Sequence, residues 1–511
     1  MEFAIIAIYV AGLVAVGVWA KTRISSQSDF LVAGRRLGPV LYMGTMSAIC
    51  IGGASTVGGI GLGYEYGISG MWLVFFIGTG MLLMSLVFAG RINRLGIYTV
   101  SEMMELRYGG RAASVIAALV MFGYAFMVAV TSTIAYGAVF SVLFDIGRFP
   151  ATLVGGGIVI VYSAVGGMWS ITLTDFIQFI VKTIGIFAIL LPAVLMKAGG
   201  WDGLHRALPD TAFSLTTIGG GTILSYFVVY FFGLVIGQDI WQRVFTARNE
   251  TVARWSGAAA GVYCLLYAIA GALIGMGSRV FLPDITDRDL VFTHTVNQSL
   301  PLALAAIVVA AALSAIMSTS SGALIAAATV ARKDLAALLL QALGRPVDDR
   351  SDTREIRQDR IYIVAVGASV IAAASAINDV VGALTIAYNL LVGALMVPIV
   401  GGLTTKWATG AAALSATTSG AVATLATMVY GGDIYASSPI FVGIAISAVT
   451  FIVTSRYSTP TDATIMASWQ TRIARTRQSP APDPTTTDPA PTDTNSCTPH
   501  THVGGASPTD S

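Results

Sequence analysis

Three short segments of small and polar residues interrupt apolar sequence and could together bind an ion. They are residues 52–59 (GGASTVGG), Thr174-Asp175 and residues 315–321 (AIMSTSS). Glycine pairs, clustered hydroxyls and a carboxylate each cost free energy in hydrocarbon, so a lipid-facing helix disfavours them. Carbonyl oxygens freed where a helix unwinds, together with hydroxyl oxygens, are the neutral ligands that Na⁺ takes in transporters. The pattern therefore predicts broken helices packed around a small polar site.

The composition predicts a protein that lies in the lipid bilayer. The 511-residue chain is 55% hydrophobic and 11% charged, with a mean hydropathy of +0.76, whereas soluble domains carry about 25% charged residues. The net charge is +2, and without a basic run the chain gives no indication of nucleic-acid binding. Its three cysteines lack the spacing of a zinc site or a disulfide framework. No apolar run carries a Ser–His or His-Glu-x-x-His pair, so we expect neither an enzyme nor a cofactor.

About thirteen apolar runs are long enough to cross roughly 30 Å of hydrocarbon. They are 3–21, 38–63, 69–90, 112–143, 150–168, 170–198, 220–240, 251–281, 301–331, 359–377, 379–403, 407–430 and 436–454. Most of the 29 Lys and Arg residues fall in alternate connections. Because cytoplasmic loops carry this excess, the sequence predicts a multi-pass protein of the cell membrane with its amino terminus outside and its carboxyl terminus inside.

The last part of the chain, 456–511, is expected to be a cytoplasmic tail. From about residue 479 it is rich in Pro, Thr and Asp and almost free of large apolar side chains. Such a segment cannot bury a core, so we expect it to be disordered.

The glycine segment and the hydroxyl segment are predicted to lie at similar depth in the membrane. Ala54–Val57 lie about 25 Å along the helix from Gly38, where their apolar run begins. Ser318–Thr319 lie about 20 Å from Arg332, where the ninth apolar run ends. Because the two runs have opposite directions, both segments come near the middle of the bilayer. The alternative is a packing seam of small residues whose hydroxyls bond to their own helix.

Several motifs in a fixed order resemble the sodium:solute symporter family over about residues 1–455. They are FLVAGRR at 30–36, TVSE at 99–102 with RYG at 107–109, YSAVGGMW at 162–169 followed by TDFIQ at 174–178, Gln242-Arg243 with Ala247-Arg248, and AIMSTSS at 315–321 followed by Lys333-Asp334. The resemblance implies an all-α membrane protein of the LeuT type. It would have an amino-terminal helix and inner loop (1–37), two inverted five-helix repeats (38–198 and 220–403) joined by an outer loop (199–219), and two carboxyl-terminal helices (404–455).

The resemblance also implies ion ligands at matching positions. The principal sodium site would use the backbone carbonyls of Ala54, Val57 and Ala315 and the hydroxyls of Ser318 and Thr319. Some members of the family bind a second sodium, for which Asp175 and Ser321 match, but Gly322 stands where that site has a serine. Asp175 would lie on the inward ion route, or would pair with an inner-loop arginine. Lys182, seven residues further along the same helix face, would snorkel or pair internally.

The solute is expected beside the interrupted helix, and its identity stays open. Candidate solute-binding residues are Thr56, Gly58, Thr131, Tyr226, Tyr230 and Gln238, with Thr133 and Asp239 near them. Thr56 stands where the proline symporters carry an acidic residue, which argues against proline. The resemblance implies uptake of a small organic solute coupled to Na⁺ by alternating access, with a proton-coupled or uncoupled transporter of the same fold, or a channel, as alternatives. The sequence leaves the oligomeric state open as well.

Overall fold

The regular elements of the protein are helices, as predicted. The structure is a computed structural model that describes residues 2–343, 352–377, 379–432 and 438–474. The predicted disordered tail lies outside these residues. We label the long apolar helices and their parts in chain order. They are α1 (Glu2–Ala20), α2 (Pro39–Cys50), α3 (Ala54–Leu95), α4 (Arg111–Phe144), α5 (Arg148–Lys197), α6 (Gly220–Ile236), α7 (Gln238–Val244), α8 (Glu250–Phe281), α9 (Leu302–Gln341), α10 (Asp352–Ala374), α11 (Val380–Thr404), α12 (Gly410–Tyr430) and α13 (Pro439–Tyr457).

Each of the predicted apolar runs coincides with one or two of these helices, but the number of uninterrupted spans is smaller. Eight helical stretches of the described residues are long and apolar enough to cross a membrane, or nine if α6 and α7, which meet at 42°, form one span. Two of the eight, α3 and α5, each contain residues of two predicted runs. In both, one glycine leaves the helical region: Gly67 has φ 66° and ψ −145°, and Gly167 has φ 50° and ψ −148°. Glycine adopts these angles without the Cβ clash of other residues.

Side-chain caps begin several helices where the sequence supplies a hydroxyl or a carboxylate. Thr409 accepts the backbone N–H of Ala412 at the start of α12, and Asp379 accepts that of Gly382 at the start of α11. Asn249 caps α8 in the same way. Each cap satisfies a backbone donor that the first turn leaves unpaired.

The polar segments lie on the helices at the centre of the protein. Every side chain from Val308 to Val330 on α9 is buried, and this helix packs against both α4 and α5. The outer helices instead expose large apolar side chains, among them Val429 on α12 and Val449 and Ile452 on α13. A surface of this kind suits lipid rather than water. The fold therefore surrounds a polar centre with an apolar exterior.

Candidate ion and solute site

The predicted interruption lies between α2 and α3. Helix α2 ends at Cys50, Ile51 has the non-helical angles φ −100° and ψ 85°, and Ala54–Gly58 form a π-helical turn. Close packing requires a glycine at residue 52, because a Cβ there would lie 2.5 Å from the hydroxyl oxygen of Thr319. The glycine segment thus gives both the interruption and the close approach of α9.

The two predicted hydroxyl ligands of α9 bond across to the interrupted helix. The Ser318 hydroxyl donates to the carbonyl oxygen of Ala48 at 2.8 Å and to that of Ala315 on its own helix at 3.0 Å. The Thr319 hydroxyl donates to the carbonyl oxygen of Ile49 at 2.7 Å. The glycine and hydroxyl segments therefore meet, as their matched depth predicts, and three of the expected ligands, Ala315, Ser318 and Thr319, lie together.

Ala54 and Val57, the other two expected ligands, lie beyond the interruption, in the π-helical turn. The carbonyl oxygen of Ala54 accepts the backbone N–H of Gly59 inside the π-helical turn, and Val57 lies in the same turn. The carbonyls that accept the α9 hydroxyls belong to Ala48 and Ile49, six and eight residues before Ala54 and Val57, because the helix is interrupted at Ile51 rather than within residues 54–57. Sequence reasoning placed the interruption at the clustered glycines and missed that it begins just before them.

Lys182 on α5 is fully buried and bonds to this same interruption. Its Nζ donates to the carbonyl oxygens of Ser47 at 3.3 Å, Ala48 at 3.0 Å and Ile51 at 3.2 Å. Of the two expectations for this lysine, the internal one is correct, since the ammonium is fully buried and bonds within the protein. Its partners are backbone oxygens, which no sequence pattern indicates.

Asp175 pairs with a buried arginine, as one of the two expectations proposed. Its Oδ2 accepts a hydrogen bond from the Arg243 guanidinium at 2.9 Å and one from the Thr45 hydroxyl at 2.6 Å, and both charged side chains have no exposed surface. The Ser321 hydroxyl donates to the carbonyl oxygen of Ser318 at 3.2 Å instead. Of the two residues matched to a second sodium, Asp175 therefore holds an arginine side chain and Ser321 bonds within its own helix.

A buried cavity lies beside the interruption, between α2, α4, α7 and α11. Its volume is about 30 Å³, which is room for one or two water molecules. Of the six predicted solute-binding residues, Thr131 lines this cavity. The lining also includes Gly52, Gly53, Ser132, Asp239, Thr319 and Tyr388.

The other predicted solute-binding residues are engaged elsewhere. The Thr56 hydroxyl bonds to Tyr267 at 2.9 Å, and the Tyr230 hydroxyl bonds to Thr385 at 3.1 Å. Gln238 accepts the backbone N–H of Val100 at 2.8 Å, which fixes the short helix Val100–Tyr108 rather than a solute. The last two, Gly58 and Tyr226, are buried in contact with Val381 on α11 and with the ring of Tyr230 respectively.

Asp239 on α7 is the acidic side chain of this cavity. Its Oδ1 accepts a hydrogen bond from the Tyr124 hydroxyl at 2.9 Å, and the Tyr124 ring packs against that of Tyr388 with centroids 5.2 Å apart. Sequence reasoning named Asp239 only beside its main candidates. A stronger signal was available, since a carboxylate within an apolar run is costly unless it serves a site.

Comparison with known proteins decides the family. The model of the sodium:solute symporter family matches residues 30–437, which is most of the chain. The chain belongs to the sodium:solute symporter family. It is a sodium-coupled solute symporter and a multi-pass membrane protein, and it is not an enzyme.

Its relatives differ in how much of each protein is matched. The symporter is 28% identical to the sodium/pantothenate symporter of Escherichia coli (strain K12) over 480 residues, 88% of this chain and 95% of that protein. It is 28% identical to a high-affinity choline transporter of Caenorhabditis elegans over 291 residues, 54% of this chain and about half (49%) of that protein. The human high affinity choline transporter is 25% identical over 412 residues, 74% of this chain and 68% of that protein.

Solved structures confirm the LeuT-type fold of the symporter. A Na⁺-coupled sialic acid symporter in a substrate-bound outward-open state matches with a TM-score of 0.78 at 16% identity, over 90% of this chain and 98% of that one. The nucleobase-cation-symport-1 transporter Mhp1 in a closed conformation matches with a TM-score of 0.53 at 13% identity, over 87% and 98%.

The symporter has two further clusters of charged residues. In the first, Arg288 approaches Glu65 at 3.6 Å and Asp379 at 3.4 Å. In the second, Arg332 contacts Asp359 at 2.7 Å and Glu355 at 3.1 Å. We call these the Arg288 cluster and the Arg332 cluster.

Proposed function

We propose that this symporter moves one Na⁺ and one small organic solute per cycle into the cell by alternating access. The observation that carries the proposal is the meeting of the Ser318 and Thr319 hydroxyls with carbonyl oxygens at an interrupted helix. Neutral oxygens of this kind, at an interruption within a membrane helix, form the coupling-ion sites of such transporters.

The proposed ion ligands are the carbonyls of Ala48, Ile51 and Ala315 and the hydroxyls of Ser318 and Thr319. We propose Ala48 and Ile51 in place of Ala54 and Val57, which have the same spacing of three residues. The choice is supported by the Ser318 bond to Ala48 and by the non-helical backbone of Ile51. The Ala54 carbonyl is less suited because it already accepts a helical N–H.

One Na⁺ per cycle is supported by the surroundings of Asp175. A second ion at Oδ2 would have to displace the Arg243 guanidinium from this fully buried carboxylate. Removing one partner of a buried ion pair leaves an uncompensated charge, which is strongly unfavourable. Asp175 and Ser321 are therefore proposed to position helices rather than to bind a second sodium.

We propose that the solute binds in the cavity beside Asp239 and donates hydrogen bonds to it. A buried carboxylate disfavours an anion and favours a hydroxyl or an ammonium group. The names of the relatives include both choline, a cation with a hydroxyl group, and pantothenate, an anion. The chemistry of this cavity favours the first class. Because the cavity is smaller than any organic solute, binding requires side chains or helices to move apart.

The proposed repeat organisation is supported by the interruptions, and the proposed orientation follows from the distribution of Lys and Arg in the sequence. The second helical run is interrupted at Ile51 and the seventh at Gly237, and these runs begin the two proposed repeats, 38–198 and 220–403. With the amino terminus outside, the Arg288 cluster would close the outer side and the Arg332 cluster the inner side. Opening one while the other stays closed is what alternating access requires.

Uptake into proteoliposomes tests this proposal. Radiolabelled choline should accumulate when an inward Na⁺ gradient is imposed and should not accumulate with K⁺ in its place, whereas labelled pantothenate should stay outside. Asp239→Asn should reduce choline uptake by about tenfold or more, the loss of a charge-assisted hydrogen bond. Asp202→Asn, which makes the same change at an exposed residue outside the cavity, is the matched control. Accumulation of pantothenate but not choline would contradict the proposed solute class.

A further inference from the structure

Lys182 is a buried cation whose hydrogen bonds go to the unwound end of a helix. In the part of the chain that the structure describes, the acceptors of its Nζ are three carbonyl oxygens, those of Ser47, Ala48 and Ile51. The nearest carboxylate on the same helix, Asp175, is bonded to Arg243 and Thr45. Lys182 is therefore held by neutral oxygens and not by an ion pair.

Neutral oxygens can replace the hydration of a buried monovalent cation. An ammonium group has three N–H donors, and in Lys182 the three acceptors equal them in number. Burying the charge without such partners would be strongly unfavourable. The carbonyls at the interruption thus act on the ammonium as they would act on a bound metal ion.

The position of the ammonium overlaps the proposed ion site. Two of its three acceptors, Ala48 and Ile51, are the two carbonyls of the interrupted helix that we propose for Na⁺. The Ala48 oxygen also accepts the hydroxyl of Ser318. Two unit charges that share these oxygens would repel strongly in a site without water, so the lysine and Na⁺ cannot both occupy it.

We propose that Lys182 is a tethered cation that fills the coupling-ion position while Na⁺ is absent and competes with Na⁺ for the carbonyl oxygens of Ala48 and Ile51. The inference rests on the ion site given under Proposed function. Na⁺ enters when the lysine side chain withdraws, and the lysine returns when Na⁺ leaves. The side chain thereby keeps the interrupted helix satisfied in the empty carrier and lowers the apparent affinity for Na⁺.

The effect on affinity follows from this competition. An ion that can bind only when the lysine has withdrawn has its affinity reduced by the fraction of molecules in that state. If the lysine holds the carbonyls in about nine-tenths of the molecules, its removal increases the apparent Na⁺ affinity about tenfold. Binding is measured on the purified full chain as the rise in melting temperature with Na⁺ concentration, with K⁺ at equal ionic strength as reference.

Lys182→Met is the main test, because it removes the charge and keeps a long unbranched side chain. We expect the Na⁺ concentration that gives half-maximal stabilisation to be about tenfold lower than in the unmodified protein. Lys182→Gln, which keeps donors for the carbonyls but no charge, should shift in the same direction and serves where the methionine variant does not fold. Lys197→Met, at the end of the same helix, is the matched control and should leave Na⁺ binding unchanged.

The possible outcomes distinguish a failure of the proposed competition by Lys182 from a failure of the proposed ion site. An unmodified protein that Na⁺ does not stabilise beyond K⁺ would contradict the proposed ion site. An unmodified protein that responds to Na⁺, with unchanged or weaker Na⁺ binding in folded Lys182→Met and Lys182→Gln, would overturn the competition proposed here and leave the site in place.

Discussion

Gly322 on α9 lies directly against the guanidinium of Arg243 on α7. A Cβ at residue 322 would lie 2.6 Å from both terminal nitrogens of that arginine. The missing side chain is what lets Arg243 reach Asp175, with which it forms a fully buried ion pair. The glycine that replaces the serine of the second-sodium pattern at residue 322 therefore makes the room in which Arg243 pairs with Asp175.

Gly322→Ser should destabilise the protein by displacing Arg243 from Asp175. Overpacking a close contact costs about 1–3 kcal/mol, and an ion pair disturbed in a buried position adds to this. A clear fall in the melting temperature is expected. Gly12→Ser on α1 is the control, because a Cβ at residue 12 meets no other atom within 4 Å. If Gly322→Ser has the melting temperature of the unmodified protein, a serine at residue 322 does not disturb the ion pair between Arg243 and Asp175.

Asp289 should give the protein a pH dependence of stability between about pH 4 and pH 6. It lies in the connection after α8, where burial raises its pKa to about 6 although neighbouring Arg288 lowers it. The folded state therefore binds this proton more tightly than the unfolded state, in which the pKa of the carboxyl is 3.8. Stability is highest below about pH 4, falls as the pH rises towards 6 and then stays level, with a total change of at most about 3 kcal/mol.

The measurement is the melting temperature at pH 4.5 and pH 7 for the unmodified protein and for Asp289→Asn. The variant should lose much of the difference between the two values, and Asp284→Asn, an exposed residue of the same connection, should keep it. Equal pH dependence in all three proteins would show that Asp289 does not hold its proton in this range.

The broad plan of the fold and one half of the proposed ion site could be predicted from the sequence. Apolar runs have a length set by the bilayer, so helices were found at each of them. The α9 segment around Ser318 and Thr319 was placed correctly because hydroxyls buried in an apolar helix have few other reasons to cluster. Those two residues do face the interrupted helix.

The other half could not be predicted, for a physical reason. The proposed carbonyl ligands belong to the backbone, so their position depends on which residue leaves the helical region. The glycines at 52 and 53 indicate that the helix is interrupted nearby, but not that Ile51 is the residue at which this happens. The partners of Lys182 are likewise backbone oxygens. Arg243 meets Asp175 across 68 residues of sequence, a pairing that only the packing of α5, α7 and α9 determines.

Cys497 tests the orientation of the chain. Most Lys and Arg residues lie in the connections assigned to the inside, so a membrane-impermeant maleimide should label Cys497 after lysis but not in intact cells. The label reports on Cys497 because the two other cysteines, Cys50 and Cys264, are buried. A Cys497→Ala protein gives the background. Strong labelling of intact cells would reverse the proposed sides, including the assignment of the Arg288 cluster to the outside.

Replacing both Ser318 and Thr319 by alanine should weaken Na⁺ binding. The change removes two of about five proposed oxygen ligands while α9 stays packed, so the apparent Na⁺ affinity should fall tenfold or more, at least about 1.4 kcal/mol. Solute affinity should fall with it, because the coupling of two bound ligands is reciprocal. Ser314→Ala on the same helix, whose hydroxyl bonds to Tyr9 and Ala310 away from the interruption, is the control. A well-folded double variant with the Na⁺ dependence of the unmodified protein would mean that these hydroxyls only pack α9 against α2.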